Sequence, residues 1–403
     1  MRVAHKFWSV AVAAGVIVSV TAPAAALPSI PDTGKQYWFG NYQISKVWAL
    51  GATGRGVTVA VLDSGIQANR PELAGVVLPG TDFLGGDGRT DTDEPNGHGT
   101  SMAIMIAGQG GGPNDLTGIA PEAKILPVTT NKANSDQAAE DVNPRSIRYA
   151  VDHGARILSI SLAADATNDP DHCPPAVADA VRYAIDKGAI VVAAAGNFAL
   201  EGNPPDEPAA CPGVLAVGAI DGSKRPWVKS ERQSYVDVAA PGVNIAAQNL
   251  AGESGLADGT SASTALVSGA AALVWSKFPT LTNRQVVARL LATVSDDAGT
   301  PGKDDVTGYG IVRPYNAIVT NVAANAPNPV FDEPKTAAPT TSAPSSTPPP
   351  STGPSTGPSA SSSTASGGSS SSPVIWIVIG AVAVVIIAIF VGASRHRARA
   401  GAG

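Results

Sequence analysis

The stretch DGTSASTALVSG, residues 258–269, decides the fold of this chain. A Gly-Thr-Ser turn runs directly into Ala, Ser, Gly, Val and Leu residues that continue to Trp275 and Phe278. Small residues on every side predict a buried helix that packs closely against its neighbours. Ser261 falls in the first turn, where backbone N–H groups lack intrahelical partners and can hold an anion. Taken alone, the stretch is equally consistent with a serine whose only role is to cap a buried helix.

Strand and helix patterns alternate on the N-terminal side of this stretch. Short β-branched or apolar runs predict strands at residues 56–62, 124–128, 157–162, 190–195, 213–219 and 236–239. Small-residue or amphipathic runs predict helices at residues 101–107, 144–153 and 177–187. Alternation of this kind predicts an α/β fold, in which a parallel sheet carries helices on both faces.

Three polar residues lie at predicted ends of strands or helices: Asp63, His98 and Ser261. Asp63 follows the first strand, where open α/β sheets place their sites, although a strand-end Asp is more often a turn residue. His98 lies between two glycines before a helix, whereas His153 ends a helix and His172 lies in a Pro-rich loop. A histidine oriented by a carboxylate can take the proton of a serine hydroxyl. An amide such as that of Asn197 can stabilise the oxyanion, which is worth about 10²–10³ in rate.

Four segments carry these residues in the order Asp, His, Asn, Ser: VAVLDSG (59–65), GHGT (97–100), AAGN (194–197) and GTS (259–261). In this order they resemble the subtilisin-like serine peptidases, over about residues 54–317. The resemblance implies a subtilisin-like three-layer fold with a seven-stranded parallel sheet between helices. It also implies that Asp63, His98 and Ser261 are catalytic and that Asn197 is the oxyanion donor.

The same resemblance implies where substrate binds. Ser159, Ile160 and Ser161 belong to the strand that lines the primary specificity pocket in this family. Ala163 stands where a glycine is common, which we expect to narrow the backbone groove. Ala265-Leu266 stand where the family usually has Pro-His, and neither position takes part in the chemistry.

The two ends of the chain predict export and anchoring. Residues 1–26 have the basic start, apolar run and small-residue site of a signal peptide, with an uncleaved anchor as the alternative. Residues 27–53 form a short aromatic extension, 54–323 the catalytic domain and 324–372 a disordered tether rich in Pro, Ser and Thr. The uncharged segment 373–393 is long enough to span a bilayer, and the arginines of the tail, 394–403, place that tail in the cytoplasm.

Cofactor and partner expectations follow from the remaining residues. Cys173 and Cys211 are the only cysteines, and in an exported domain we expect them to form a disulfide rather than two buried thiols. The loop with Asp82, Asp87, Asp91 and Asp93 reads as mostly solvated; a structural calcium ion is an alternative, although the spacing matches no EF-hand. We otherwise expect no metal or cofactor. The net charge of −6 gives no reason to expect a nucleic-acid partner.

The ends of the chain also narrow the resemblance. The short extension, the paired cysteines, the tether and the anchor together resemble the mycosins, membrane-anchored subtilases associated with type VII secretion in actinobacteria. This implies an extracytoplasmic serine endopeptidase acting on protein or peptide substrates. Two alternatives remain open at this point: a structural partner that stabilises a secretion complex, and a generic cell-surface subtilase.

Overall fold

A seven-stranded sheet forms the centre of the fold. The strands of the described residues are β1 Thr58–Asp63, β2 Thr81–Asp82, β3 Lys124–Thr129, β4 Ile157–Ile160, β5 Ala164–Asp165, β6 Ile190–Ala194, β7 Asp206–Glu207, β8 Leu215–Ile220, β9 Val238–Pro241, β10 Ile245–Gln248 and β11 Ser254–Ala257. The sheet order is β2-β3-β1-β4-β6-β8-β9, and every neighbouring pair is parallel. The predicted seven-stranded parallel sheet is therefore confirmed. Antiparallel pairs β5–β7 and β10–β11 lie outside it.

Helices cover both faces of this sheet. They are α1 Tyr37–Asn41, α2 Ile44–Ala49, α3 His98–Ala107, α4 Pro144–Asp152, α5 Pro175–Asp186, α6 Thr260–Lys277, α7 Asn283–Leu291, α8 Pro314–Val319 and α9 Pro329–Asp332. In β1, Val59 and Val61 pack into one core and Ala60 and Leu62 into the other. This alternation follows from the two-residue period of a strand, and it produces a three-layer α/β/α arrangement.

The computed structural model describes residues 27–28, 36–83, 85, 87–93, 95–130, 144–296 and 302–332. All of them belong to one compact unit. The predicted signal peptide, tether, membrane segment and cytoplasmic tail lie outside the described residues. Within the described part of the chain, no helix is both long and apolar enough to cross a bilayer.

Some predicted boundaries are wrong by a few residues. The strand predicted at 157–162 ends at Ile160, and the helix predicted at 101–107 begins at His98. The helix begins earlier than predicted because a side chain outside the helical pattern binds its first turn. The Asp93 carboxylate accepts a hydrogen bond from the His98 backbone N–H at 3.1 Å, so the helix is capped three residues earlier than its apolar run suggests.

Helix α6 is the buried helix that the opening stretch predicts. Its residues from Ala262 to Trp275 are all buried, and it packs against α3 and against strands β4, β6, β8 and β9. Small side chains allow this close approach: a Cβ added to Gly269 would lie 2.0 Å from the Cγ2 atom of Ile119. A helix with larger residues on that side could not reach the sheet and α3 together.

The N-terminal extension is part of the main core. Trp38 and Phe39 of α1 and Trp48 of α2 are buried in the same cluster as α3 and α6. The Trp48 indole N–H donates to the Ile119 carbonyl at 2.9 Å, and the Tyr37 hydroxyl donates to the Val243 carbonyl at 2.9 Å. This segment therefore packs onto the main body through its aromatic residues.

Candidate active site

Asp63 and His98 meet at the carboxyl end of β1. Asp63 is fully buried, and its Oδ1 lies 2.7 Å from His98 Nδ1. The same oxygen accepts a hydrogen bond from the Ser64 backbone N–H at 2.8 Å. Because Nδ1 donates to this carboxylate, the neutral form of the imidazole carries its proton on Nδ1 and its lone pair on Nε2. His98 is therefore held in the tautomer that a general base requires.

A close approach of two backbones makes this contact possible. A Cβ added to Gly99 would lie 2.2 Å from the Gly65 carbonyl oxygen and 3.1 Å from the Asp63 Cβ. Only glycine lets the first turn of α3 lie directly on the end of β1. The motif Gly97-His98-Gly99 thus has a packing reason beside the chemical one.

Two further carboxylates brace the start of α3, and the sequence reading missed both. Asp91 accepts hydrogen bonds from the Thr100 N–H at 2.8 Å and from its hydroxyl at 2.6 Å. Asp93 accepts from the His98 N–H, as described above. Both side chains are buried, so the expectation of a mostly solvated loop is wrong for these two residues. Their position shortly before a predicted helix, where Asp caps are common, was the available signal.

The same hydrogen bonds bear on the calcium alternative. Asp91 also accepts from the Ser64 hydroxyl at 2.8 Å and from the Asp93 N–H at 3.0 Å, so both of its oxygens are occupied by protein donors. In the described residues no group of three or more His, Cys, Asp or Glu side chains is arranged to hold a metal ion. Asp91 is therefore not available as a calcium ligand in this arrangement.

Ser261 is the second residue of α6 and faces the same cleft as His98. The cleft encloses about 320 Å³ and is lined by Asp63, Ser64, Asp93, Asn96, His98, Ser161, Leu162, Ala163, Ala194, Asn197, Phe198 and Ser261. The Ser261 hydroxyl donates to the Ser161 carbonyl at 2.9 Å, and the Ser161 hydroxyl donates to the Ser261 carbonyl at 3.1 Å. The hydroxyl must turn from the Ser161 carbonyl before His98 can accept its proton.

Asn197 lies across the cleft at the end of the β6 segment. Its Oδ1 accepts two hydrogen bonds from Thr260, one from the N–H and one from the hydroxyl, each at 2.9 Å. A backbone N–H can only donate, so the atom facing it must be the amide oxygen. The Nδ2 group therefore points away from Thr260. The side chain is held by its oxygen, and the N–H groups of Nδ2 can donate elsewhere.

Of the three residues expected to bind substrate, Ser159, Ile160 and Ser161, only one lines the cleft. Ser161 lines the cleft, whereas the side chains of Ser159 and Ile160 are buried within β4 and do not line it. The cleft wall instead continues through Leu162 and Ala163. Because β4 ends at Ile160, the extended chain that a substrate can reach begins one residue later.

The charges around His98 determine its protonation. Burial disfavours the imidazolium, but the carboxylate of Asp63, with help from Asp93 and Asp91, outweighs burial and raises the pKa of His98 to about 9. The His98 side chain is 31% exposed, so solvent reaches this pair. Protonated His98 cannot act as a base, and the site is thus electrostatically set for activity above neutral pH.

A disulfide joins the loops beside this cleft. Cys173 and Cys211 are bonded, as expected from the sequence. Cys173 lies just before α5 and Cys211 just after β7, and β7 pairs with β5 next to the cleft residue Ala163. The bridge therefore anchors the two-stranded β5–β7 segment that continues the cleft wall.

Comparisons with known proteins agree with this geometry. The model of the subtilase family matches residues 54–310. Thermitase from Thermoactinomyces vulgaris is 34% identical over 283 residues, which cover 70% of this chain and 97% of that protein. Mycosin-1 from Mycolicibacterium smegmatis is 31% identical over 353 residues, covering 72% of this chain and 76% of that protein.

Solved structures give the same picture. The crystal structure of MycP1 from Mycobacterium smegmatis superimposes with a TM-score of 0.61 at 29% identity, covering 76% of this chain and 89% of that one. The structure of the MycP3 protease from the type VII (ESX-3) secretion system gives a TM-score of 0.60 at 33% identity, covering 73% and 91%. Most of the described chain therefore has a counterpart in each of these two structures.

Proposed function

The chain belongs to the subtilase family of serine proteases, and from this premise we propose that Asp63, His98 and Ser261 are its catalytic triad, with Asn197 as the oxyanion donor. The observation that carries the proposal is the 2.7 Å contact between the buried Asp63 and His98 in a cleft that also holds Ser261 and Asn197. The reaction is hydrolysis of a peptide bond through an acyl-enzyme.

The first step transfers one proton and forms one bond. The Ser261 hydroxyl turns toward His98, Nε2 takes its proton, and Oγ attacks the carbonyl carbon of the substrate. Asp63 stabilises the resulting imidazolium through its bond to Nδ1. His98 then gives the proton to the departing amine, and a water molecule repeats the sequence to release the acid.

Asn197 acts on the charge that appears during this step. The two hydrogen bonds from Thr260 fix its amide oxygen, so Nδ2 can donate to the tetrahedral oxyanion without reorganisation. The Ser261 backbone N–H in the first turn of α6 is the second donor. We expect Asn197→Ala to lower kcat by about two to three orders of magnitude and to change KM little. A change mainly in KM would assign Asn197 to substrate binding instead.

Substrate binding follows from the wall of the cleft. A peptide in extended form pairs with the backbone of residues 161–163, and Ser159 and Ile160 act as the buried frame of that wall. Ala163 adds a methyl group to the groove and restricts how closely the peptide backbone approaches.

Labelling with a fluorophosphonate tests the triad directly. Wild type should be labelled and Ser261→Ala should not, because the probe reacts with an activated serine. Asp63→Asn and His98→Ala should reduce labelling to similarly low rates, since the members of such a unit do not contribute additively. As a matched control, Ser223→Ala removes an exposed serine that does not line the cleft and should leave labelling unchanged.

We further propose a membrane-anchored, extracytoplasmic protease that works with a type VII secretion system and processes exported proteins. The similarity to mycosins and to MycP1 and MycP3 supports this setting, as do the apolar segments at the two ends of the sequence. The test compares the exported proteome of wild type, a deletion strain and Ser261→Ala. Loss of processing in Ser261→Ala supports the proteolytic role. Normal secretion with Ser261→Ala and failed secretion on deletion would support a structural role in the complex.

A further inference from the structure

A second cavity lies at the opposite edge of the sheet from the catalytic cleft. It encloses about 510 Å³ and is lined by Val151, Asp152, Gly154, Ala155, Arg156, Lys187, Gly188, Trp275, Thr282 and Asn283. Arg156 directly precedes β4, and Lys187 and Gly188 precede β6. These are the amino ends of parallel strands, whereas Asp63 and Asn197 are at the carboxyl ends. The two cavities share no lining residue.

Within the described residues, the Arg156 side chain forms neither an ion pair nor a hydrogen bond. Its guanidinium lies 3.7 Å from the centre of the Trp275 ring. Burial lowers the pKa of Arg156, because the guanidinium is partly desolvated and no nearby carboxylate compensates. Stacking on an indole leaves the N–H edge of a guanidinium free to donate in its own plane.

Lys187 adds a second positive charge to the same cavity. Its ammonium lies over the Tyr183 ring at 5.5 Å and forms no ion pair within the described structure. One carboxylate, Asp152, also lines the cavity, but it accepts a hydrogen bond from the Tyr183 hydroxyl at 2.5 Å. Its lining therefore carries two cations, which form no ion pair with the described residues, and one carboxylate, so the net charge of the lining is positive.

The walls around these cations are held in place. The Asn283 amide donates to the carbonyls of Ile185 and Ala189 at 3.0 Å each. The Trp275 indole N–H donates to the Leu281 carbonyl at 2.8 Å. The backbone of Arg156 is bonded to Thr58 on one side and to Ile190 on the other, so the guanidinium starts from a fixed point.

We propose that this cavity is a binding site for an acidic peptide segment of a partner protein, with a carboxylate paired to Arg156 and Lys187. A guanidinium fork matches the planar geometry of a carboxylate in a bidentate pair. The cavity is larger than one carboxylate needs, and Val151, Ala155 and Gly188 offer apolar surface for a neighbouring side chain of the peptide. The site is independent of the peptidase chemistry.

Fluorescence polarisation with a labelled peptide tests the site. The probe is fluorescein-Gly-Glu-Leu-Glu-Gly-amide, its twin carries Gln at both Glu positions, and both are titrated with Ser261→Ala protein so that neither is cut. We expect saturable binding of the Glu peptide and about 10- to 100-fold weaker binding to the same protein carrying Arg156→Gln. Lys187→Gln should weaken binding by about 3- to 10-fold. Arg182→Gln, an exposed α5 arginine paired with Asp179 outside the cavity, should leave affinity unchanged.

Several outcomes would overturn the proposal. Equal affinity of the Gln twin, or of Arg156→Gln, would show that no carboxylate is recognised there. Arg156-dependent binding of inorganic phosphate without binding of the peptide would assign the cavity to a small anion. If Arg156→Gln fails to fold, Lys187→Gln decides the matter, because Lys187 is exposed and its replacement leaves the core intact. Both variants in the Ser261-containing protein should cleave a small chromogenic peptide at the wild-type rate.

Discussion

His98 is the residue whose charge state most directly controls the proposed chemistry. Three carboxylates face it: Asp63 through Nδ1, and Asp93 and Asp91 from the segment that caps α3. In the proposed mechanism they stabilise the imidazolium that forms when Ser261 attacks, and in the free enzyme they raise the pKa of His98. The same groups thus assist the transition state and limit the fraction of active enzyme.

The pH dependence of kcat/KM tests this balance. Since the pKa of His98 is raised to about 9 and only neutral His98 accepts a proton, kcat/KM should rise with pH, with its midpoint above the ordinary value of 6.5. Asp93→Asn removes one of the raising charges and should move the midpoint to lower pH. An ascending limb centred at or below 6.5 in the wild type would show that burial, rather than the carboxylates, dominates.

A second group of acids lies behind the segment that contains Asn197. Asp206 and Glu231 are buried close together beside Tyr235, and a Cβ added to Gly196 would lie 2.3 Å from a carboxyl oxygen of each. Glu231 accepts from the Phe198 N–H at 3.2 Å, and the Tyr235 hydroxyl donates to the Ala195 carbonyl at 3.1 Å. These contacts hold the backbone on both sides of Asn197. Burial raises the pKa of both carboxyls; repulsion from Asp165 adds to the effect at Asp206, and repulsion from Asp206 adds to it at Glu231.

Raised carboxyl pKa values make the fold lose stability as pH rises. The native state keeps a proton that the unfolded chain releases above about pH 4, so this contribution is complete at acid pH and declines through neutrality. We expect the melting temperature of wild type to fall between pH 5 and pH 8 and that of Glu231→Gln to fall less. Glu201→Gln, an exposed acid, is the control and should follow wild type. Parallel curves for all three proteins would show that Glu231 does not keep a proton in the native state over this pH range.

At the scale of elements, α1 and α2 belong to the catalytic core rather than to a separate cover. Trp38, Phe39 and Trp48 are in one cluster with α3 and α6, and Phe39 and Trp48 meet edge to face with ring centroids 5.1 Å apart. Neither helix contributes a residue to the lining of the catalytic cleft. Loss of α1 and α2 should therefore lower the stability of the fold without making the cleft more accessible.

Trp48→Ala measures how much this layer contributes. Removing a buried indole leaves a cavity and an unpaired Ile119 carbonyl, so the free energy of unfolding should fall by about 3–5 kcal/mol. The nearby control Leu50→Ala changes a side chain that is 40% exposed and should cost far less. Chemical denaturation of wild type and both variants provides the comparison. A gain in peptidase activity at low temperature in Trp48→Ala would instead indicate an inhibitory segment.

At the scale of the whole molecule, the disulfide links distant parts of the α/β fold. It closes a loop of 38 residues that includes α5, β6 and Asn197. On the chain-entropy model such a bridge contributes about 3–4 kcal/mol. Cys173→Ser should therefore lower the melting temperature, whereas fluorophosphonate labelling at low temperature should remain near wild type. An unchanged melting temperature would mean that the native contacts of these loops suffice.

The sequence alone determined the fold class and the identities of the four residues of the proposed catalytic site. Both depend on local patterns: apolar runs that define strands, and Asp63, His98, Asn197 and Ser261 placed at element ends. Parallel strands bring their carboxyl ends to one edge of the sheet, which predicts that Asp63 and Asn197, at two such ends, lie close together. The order of the four motifs added the resemblance to a known family.

Only the tertiary structure decided which polar groups are buried together. Asp91 and Asp93 look solvated in a Gly-rich loop, yet they cap α3; Asp206 and Glu231 are 25 residues apart in sequence, yet they share one buried site. Likewise, nothing in the sequence around Arg156 predicts that Trp275 covers one side of its guanidinium. The pKa of a buried group depends on charges and solvent exclusion contributed by several remote segments. Sequence spacing does not encode those contacts, because they form only when the chain is packed.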